Sequence, residues 1–113
     1  MLVTNRFVVD TAGAPEFTER AHAALAALAA RPGYLRGELT RALDDPTHWC
    51  LLTEWESVGA YRRALGGFDV KVTAVPLLAR SVDEPSAYET LASAAPDGEV
   101  VVVASDRAAG PYH

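Results

Sequence analysis

The chain has 113 residues, a net charge of -5 and 50% hydrophobic residues. This length predicts one domain, with enough apolar residues for a core and for a pocket or a subunit interface. The acidic charge argues against nucleic-acid partners, because phosphate backbones need a basic stripe and the nearest candidate is the pair Arg62-Arg63. A single cysteine, Cys50, excludes an intrachain disulfide and lacks the spacing of a zinc site.

The N-terminus predicts no targeting segment, because no charged region precedes a long apolar stretch. No apolar run approaches the roughly 20 residues that a membrane-spanning helix needs. These two observations predict a cytoplasmic protein without a membrane partner.

The first predicted element is a strand over residues 2–9, which are rich in β-forming side chains. Because side chains alternate across a strand, the odd positions share one face. That face carries Val3, Asn5, Phe7 and Val9. Asn5 is a polar group on an otherwise apolar face, which marks it as a candidate functional residue.

A helix follows, with Pro15 in its first turn and Pro32-Gly33 as its stop. Apolar residues recur along it at helical spacing: Phe17, Ala21, Ala24, Leu25 and Leu28. The alanine-rich composition favours a helix and leaves one face thin enough for close packing.

Two strands are predicted over residues 34–42 and 47–55, joined by a turn at Asp44-Asp45-Pro46. One face of the earlier strand would carry Leu35, Gly37 and Leu39. One face of the later strand carries Trp49, Leu51, Thr53 and Trp55, and the other carries His48, Cys50, Leu52 and Glu54. Both faces of the later strand are largely apolar, whereas helices cover only one face of a two-layer domain. The pattern therefore predicts a dimer.

In the second half of the chain, Ser57 is predicted to cap a helix that Gly66-Gly67 ends. Asp69 is predicted to cap another turn or two, which Pro76 kinks or ends. Strands are predicted over residues 86–91 and 100–104. The element order gives an α+β, ferredoxin-like βαββαβ domain with an antiparallel sheet over residues 1–93. Residues 94–113 form an extension of the same domain with an added C-terminal strand.

Four segments of the chain resemble the antibiotic biosynthesis monooxygenase superfamily of dimeric α/β-barrel proteins, over roughly residues 2–91. They are Asn-Arg-Phe at residues 5–7, Arg-Pro-Gly-Tyr-Leu at residues 31–35, Thr-Glu-Trp-Glu-Ser at residues 53–57 followed by Tyr61, and Asp-Val-Lys at residues 69–71. The resemblance implies a homodimer in which two four-stranded sheets close into a barrel. It also implies one pocket per subunit, between sheet and helices.

The haem-degrading members of that superfamily share Asn5 and Arg6 with this chain. Their helical tryptophan falls at Ala64 or Leu65, and their iron-binding histidine falls near Val75. A pocket without an axial ligand does not hold haem productively, so the comparison predicts neither haem nor a metal.

The quinone-forming members oxidise aromatic polyketide phenols with O₂ and without metal or flavin, which implies that this chain needs no cofactor. Trp55 and Tyr61 match the aromatic residues that line their pocket. Leu51, Leu39 and Val75 stand where those members have an asparagine, a tyrosine and an arginine, so the pocket is more apolar here.

The resemblance and the strand pattern together give the candidate site. The catalytic candidates are Asn5, Trp55 and Tyr61, and the substrate-binding candidates are Phe7, Leu51, Leu39 and Leu65. Neutral N–H donors in a dry pocket can stabilise a phenolate-like anion that transfers an electron to O₂. The alternative stays open that Asn5 bonds a backbone group and Trp55 only fills the core.

Three functions follow from these residues. The first is a cofactor-independent monooxygenase acting on a small planar aromatic or polyphenolic molecule. The second is a cyclase or isomerase, which needs an acid or base that the sequence does not display. The third is a non-catalytic small-molecule binder or stress protein.

Overall fold

Four strands of the computed structural model, which describes residues 1–105, form one antiparallel sheet. They are β1 (Leu2–Val8), β2 (Tyr34–Arg41), β3 (His48–Trp55) and β4 (Ala87–Tyr88). Their order across the sheet is β2-β3-β1-β4. This is the ferredoxin-like α+β arrangement that the sequence predicts.

The helices lie on one face of this sheet and bury its apolar side chains. They are α1 (Ala14–Ala29), α2 (Val58–Leu65), and a π-helical turn over Val70–Ala74 that runs directly into α3 (Val75–Leu78). Pro15 lies in the first turn of α1, as predicted. Four of the five residues in the predicted stripe of α1 are buried, namely Phe17, Ala21, Ala24 and Leu28, and Leu25 is partly buried against the core.

The two predicted helix caps have different outcomes. Ser57 caps α2, because its hydroxyl accepts a hydrogen bond from the Ala60 backbone N–H at 3.0 Å. Asp69 makes no side-chain cap; instead its carbonyl oxygen accepts the Thr73 hydroxyl at 2.6 Å. The helical segment does not end at Pro76, which lies in the first turn of α3 directly after the π-helical turn. The winding changes from π-helical to α-helical just before this proline.

The start of β2 departs from simple alternation. The pairing of β2 with β3 shifts between Tyr34 and Arg36, which is a β-bulge. Leu35 is therefore exposed rather than sharing the covered face with Gly37 and Leu39. The prediction for Leu35 is wrong because a bulge adds one residue and reverses the alternation before it.

The connection between α1 and β2 passes through Gly33, whose φ of +88° lies in the left-handed region. A Cβ atom at Gly33 would lie 2.4 Å from the Cβ of Ala60 in α2. Its carbonyl oxygen also accepts the Glu56 backbone N–H at 2.8 Å. Gly33 thus fixes how closely this turn packs on the start of α2.

The C-terminal strands are shorter than predicted and are arranged differently. Only Ala87 and Tyr88 of residues 86–91 form a strand, which pairs with Val3 and Leu2 of β1. The predicted fifth strand contracts to β6 (Val101–Val102), which pairs with β5 (Ala92–Ser93) in a separate two-stranded sheet. It does not extend the edge of the main sheet. Residues 106–113 of the predicted extension lie outside the described residues.

Across residues 1–105, the helices are all too short or too polar to cross a membrane.

Candidate functional site

The helix-covered face of the sheet brings three of the candidate residues into one row. Asn5 of β1 pairs with Leu51 of β3, and Leu51 pairs with Leu39 of β2. Adjacent strands lie about 4.8 Å apart, so these three side chains are neighbours on the same face. Asn5 is the polar side chain at one end of this row, and Leu51 and Leu39 are apolar.

Asn5 is buried, with 8% of its surface exposed. No hydrogen bond to its side chain is found within residues 1–105. The alternative role for Asn5 was a hydrogen bond to a backbone group, and no such bond is found in the described part of the chain. The completely buried side-chain atoms without a partner in residues 1–105 belong to Arg31 and Trp49, so the Asn5 amide keeps a small contact with solvent and is available to a ligand or a water molecule.

Trp55 lies at the far end of the same face and is 1% exposed. Its indole N–H donates to the Thr53 hydroxyl oxygen at 2.8 Å. Since Trp55 is four residues beyond Leu51, its Cα lies roughly 13 Å along the strand from the row that contains Asn5. Asn5 and Trp55 therefore share a face but are far apart along it. A ligand must be as long as a multi-ring molecule to contact both residues.

Tyr61 of α2 covers Trp55, with ring centroids 5.5 Å apart. Tyr34 contacts the same indole edge-on at 5.4 Å. Burial raises the pKa of both Tyr61 and Tyr34 above the ordinary value of 10.0. Each phenol is therefore neutral near pH 7, where it can donate a hydrogen bond but cannot act as a base.

The raised pKa of Tyr61 predicts a stability loss in alkali. Unfolded Tyr61 releases its proton near pH 10 and folded Tyr61 does so at higher pH, so stability falls as pH rises through this interval. We expect Tyr61→Phe to flatten this part of the profile in urea unfolding at about pH 8 to 11. Tyr61→Phe and wild-type curves that stay parallel throughout this range would contradict the assignment.

Phe7 and Leu65 are placed differently from one another. Phe7 is buried against Phe17 of α1 at a centroid distance of 5.0 Å, and it pairs with Trp49 in the sheet register. Leu65 is partly buried against the edge of the core, one helical turn beyond Tyr61. Phe7 therefore belongs to the floor of the covered face, whereas Leu65 belongs to its rim.

The space between these candidates is filled with side chains. Four surface cavities, of about 250 to 430 Å³, are lined by other residues, and neither Asn5, Trp55 nor Tyr61 contributes to any of them. The largest buried side chains on this face include Trp55, Phe7 and Leu51. A ligand that reaches Asn5 must therefore displace side chains of the helical layer.

The opposite face of the sheet carries polar and half-buried groups. Arg36 pairs with Glu54 at 3.0 Å and Glu38 at 3.1 Å, while the His48 ring lies 3.3 Å from an oxygen of Asp45. Cys50 is half-buried, and burial raises the pKa of its thiol. These groups lie away from Asn5 and Trp55, so they do not contribute to the candidate site. Within residues 1–105, no cluster of three His, Cys, Asp or Glu side chains could hold a metal ion.

Sequence reasoning assigned no role to two residues that touch the candidate site. Thr53 is buried and accepts the Trp55 N–H, and the Trp49 indole N–H is buried without a partner in the described residues. Strand alternation already placed both on the covered face. Their hydrogen bonding depends on side-chain conformation, which the alternation does not specify.

The bond between Thr53 and Trp55 predicts a measurable coupling. Thr53→Val leaves the buried indole N–H without an acceptor, which we expect to cost about 1 to 3 kcal/mol in the free energy of unfolding. In a Trp55→Phe background no N–H remains to be stranded, so the same change should cost little. Urea unfolding of the four variants measures this coupling, and additive effects would refute it.

The comparisons with known proteins agree with this fold. The antibiotic biosynthesis monooxygenase family profile matches residues 1–73. SnoaB, a cofactor-independent oxygenase from Streptomyces nogalater, is 32% identical over 80% of this chain and 94% of its own, with a TM-score of 0.62. The chain belongs to the antibiotic biosynthesis monooxygenase family.

Two further solved structures share the fold at lower identity. Rv0793 from Mycobacterium tuberculosis is 16% identical, with 96% of this chain and 97% of that chain covered and a TM-score of 0.61. A conserved protein from Methanosarcina mazei Go1 is 19% identical, with 76% and 84% covered and a TM-score of 0.63. A comparison with curated protein sequences finds no match.

Proposed function

We propose that this protein is a cofactor-independent monooxygenase that oxidises a small planar aromatic or polyphenolic molecule with O₂. The observation that carries the proposal is the unpartnered Asn5 amide on the buried, apolar face between sheet and helices. Membership of the family and the likeness to SnoaB, a cofactor-independent oxygenase, support this reaction class.

The proposed reaction needs no reductant. An activated ring carbon of the substrate anion gives one electron to O₂, and the resulting radicals combine to form a C–O bond. Loss of water from that peroxide then leaves a carbonyl group. One oxygen atom enters the product and the other leaves as water, so a CH₂ group becomes C=O without an added cofactor. The protein must favour the anion and exclude bulk water.

Three side chains carry the proposed roles. The Asn5 amide N–H donates to the oxyanion of the deprotonated substrate. Trp55 offers its indole face, because its N–H is already bound to Thr53. Tyr61, whose pKa is raised by burial, donates a hydrogen bond from its neutral phenol at the other end of the ligand.

The remaining candidates shape the pocket. Phe7, Leu51 and Leu39 form an apolar floor, and Leu65 lies at the rim. These apolar side chains exclude water and carry no charge. We therefore expect Asn5 to be the nearest polar contact of the substrate oxyanion.

We also propose that the functional unit is a homodimer. The sheet face opposite the helices is uncovered in one chain, with Val8 exposed and Leu52 partly exposed. Family members are commonly dimeric. A sedimentation mass near 12 kDa at micromolar concentration would refute this assembly.

Oxygen uptake tests the proposed reaction directly. Wild-type protein should consume O₂ with anthrone-like compounds or polyphenols faster than an Asn5→Ala/Trp55→Phe double variant. Product mass should rise by the difference between one oxygen atom and two hydrogen atoms. Equal rates for the wild type and the double variant across the panel would reject the monooxygenase.

The second candidate is a non-catalytic binder of the same class of molecule. It is favoured by the apolar Leu51 and Leu39, which continue the row that begins at Asn5 without offering an acid or a base. Quenching of tryptophan fluorescence by 1,8-dihydroxyanthraquinone without any oxygen uptake from anthrone-like compounds would select this function.

A further inference from the structure

The two tryptophans of β3 each follow a threonine two positions earlier in the sequence. The Trp55 indole N–H donates to the Thr53 hydroxyl oxygen at 2.8 Å. The Thr47 hydroxyl donates instead to the Asp45 carboxylate at 2.7 Å, and the Trp49 indole N–H is completely buried without a hydrogen-bond partner in residues 1–105. The same local pattern therefore leaves one indole N–H satisfied and the other without an acceptor.

The rings beside Trp49 do not replace the missing acceptor. In the sheet register Trp49 lies opposite Phe7, and Phe17 of α1 meets the Trp49 ring edge-on at a centroid distance of 5.3 Å. Both neighbours are hydrocarbon rings, whose π faces accept hydrogen bonds only weakly. A buried donor without an acceptor is uncommon in folded proteins, because it has lost its bond to water. An acceptor carried by a ligand would satisfy this N–H.

Trp49 lies on the same face of the sheet as Asn5 and near to it. Asn5 pairs with Leu51, and Trp49 is two residues before Leu51 on the same strand, so Asn5 and Trp49 are diagonal neighbours. Diagonal pairs across antiparallel strands lie roughly 7 to 8 Å apart, which is within reach of an aromatic side chain. Trp55 lies four residues beyond Leu51 in the opposite direction. One ligand oxygen can therefore contact both the Asn5 amide and the Trp49 N–H.

A cation lies against the ring of Trp49. The guanidinium carbon of Arg41 is 5.2 Å from the ring centroid, and Arg41 has no carboxylate partner in the part of the chain that the structure describes. Arg80 lies 6.0 Å over the neighbouring Phe17 ring, but it is already paired with Glu16 at 2.9 Å. A cation over an indole draws electron density from the ring, which makes the N–H a stronger donor to an anion.

We propose that Trp49 is a second oxyanion donor of the candidate site, and that its indole N–H and the Asn5 amide bind the same phenolate oxygen of the substrate. This inference rests on the proposed function, because it names a residue that holds the anion of that reaction. Leu51 occupies the position of an asparagine in the quinone-forming members of the family. Trp49, on the same face two residues earlier, supplies the N–H that Leu51 lacks. Arg41 acts through Trp49 as a positioning residue.

Indole N–H signals in NMR spectra test the contact directly, since the chain has two tryptophans. Trp49→Phe and Trp55→Phe each remove one signal and so assign both. In the free protein the Trp49 proton should resonate upfield of the Trp55 proton, because a hydrogen bond moves such a proton downfield. Saturation with ionised 1,8-dihydroxyanthraquinone should move the Trp49 signal downfield, and the Trp55 signal less. A Trp49 signal that does not respond to the bound dye would overturn the proposal.

Ionisation of the bound dye gives a second readout, because its visible spectrum changes when a phenol loses its proton. Trp49→Phe should weaken binding of the anion relative to the neutral dye roughly 10- to 100-fold, which is the usual effect of removing a donor from a charged acceptor. Trp55→Phe is the matched control and should weaken both forms alike, since its N–H is bound to Thr53. The same anion preference in both variants would contradict the assignment.

Oxygen uptake separates this inference from the proposed function. With anthrone-like substrates, the pH at which kcat reaches half of its maximum should rise by roughly 1 to 2 in Trp49→Phe, because the bound anion is held less well. Arg41→Gln should lower kcat roughly 2- to 5-fold, whereas Arg62→Gln, at an exposed site on α2, should not.

The possible failures are distinct. Oxygen uptake by the wild type with an unchanged pH profile in Trp49→Phe would refute the role of Trp49 and leave the monooxygenase intact. A dye anion whose binding depends on Trp49, without oxygen uptake by the wild type, would refute the reaction and leave Trp49 as an anion donor. A wild type that binds neither form of the dye would refute both.

Discussion

Gly33→Ala is expected to destabilise the fold by about 3 kcal/mol, or roughly 10 °C in Tm. Gly33 has a φ of +88°, which an L-residue with a Cβ adopts only at a cost. The new methyl group would also meet the Cβ of Ala60 at 2.4 Å, and neither atom can rotate away. Thermal and urea unfolding measure the loss.

The two causes of this loss can be separated with matched variants. Gly33→Ala/Ala60→Gly removes the contact between methyl groups and keeps the backbone strain, so it should recover part of the stability lost in Gly33→Ala. Gly66→Ala is the control, because its φ is -85° and its new Cβ would have ordinary contacts of 3.4 Å. An effect of Gly33→Ala no larger than that of Gly66→Ala would disprove the close packing of this turn on α2.

Asn5→Ala is expected to lower kcat for anthrone-like substrates by roughly 100-fold, with a smaller change in KM. The amide would donate to a charge that develops during the reaction, so its removal acts on the transition state more than on substrate binding. Stability should change little or rise, because the variant removes a buried polar group that has no protein partner in the described residues. Steady-state oxygen uptake provides the measurement.

Thr4→Ala is the matched control for Asn5→Ala, since it alters the neighbouring residue of β1 on the opposite face of the sheet. It should leave kcat within about 2-fold of the wild type. If Asn5→Ala is as active as Thr4→Ala, Asn5 is a structural residue and the oxyanion must be held by another donor, for which the free N–H of Trp49 is the next candidate.

Much of the fold follows from alternation and end signals in the sequence. Odd-numbered positions of β1 and β3 predict the covered face correctly because both strands are regular over their full length. Pro15 and Ser57 mark their helix starts through local chemistry that acts within one turn. These local patterns also predict the order of the elements, which the structure confirms for the βαββαβ unit.

Other features depended on contacts between distant parts of the chain. The bulge that exposes Leu35 arises where Tyr34 packs edge-on against Trp55, which no local pattern signals. The strand pattern of residues 100–104 does not specify a partner, and β6 pairs with β5. Strand alternation in the sequence predicts that Asn5 and Trp55 share one face. The strand register of the structure shows in addition that Asn5 pairs with Leu51, four residues before Trp55.

The π-helical turn over Val70–Ala74 gives the chain a place where its length can change. A residue removed from α1 would rotate every following side chain by about 100° and move Leu28 off the buried stripe. The wider turn already contains more residues than an α-helical turn, so removing exposed Val72 would relax it toward ordinary helical winding. Insertions and deletions among related sequences should therefore collect at this turn, leaving the register of the sheet and of α1 intact.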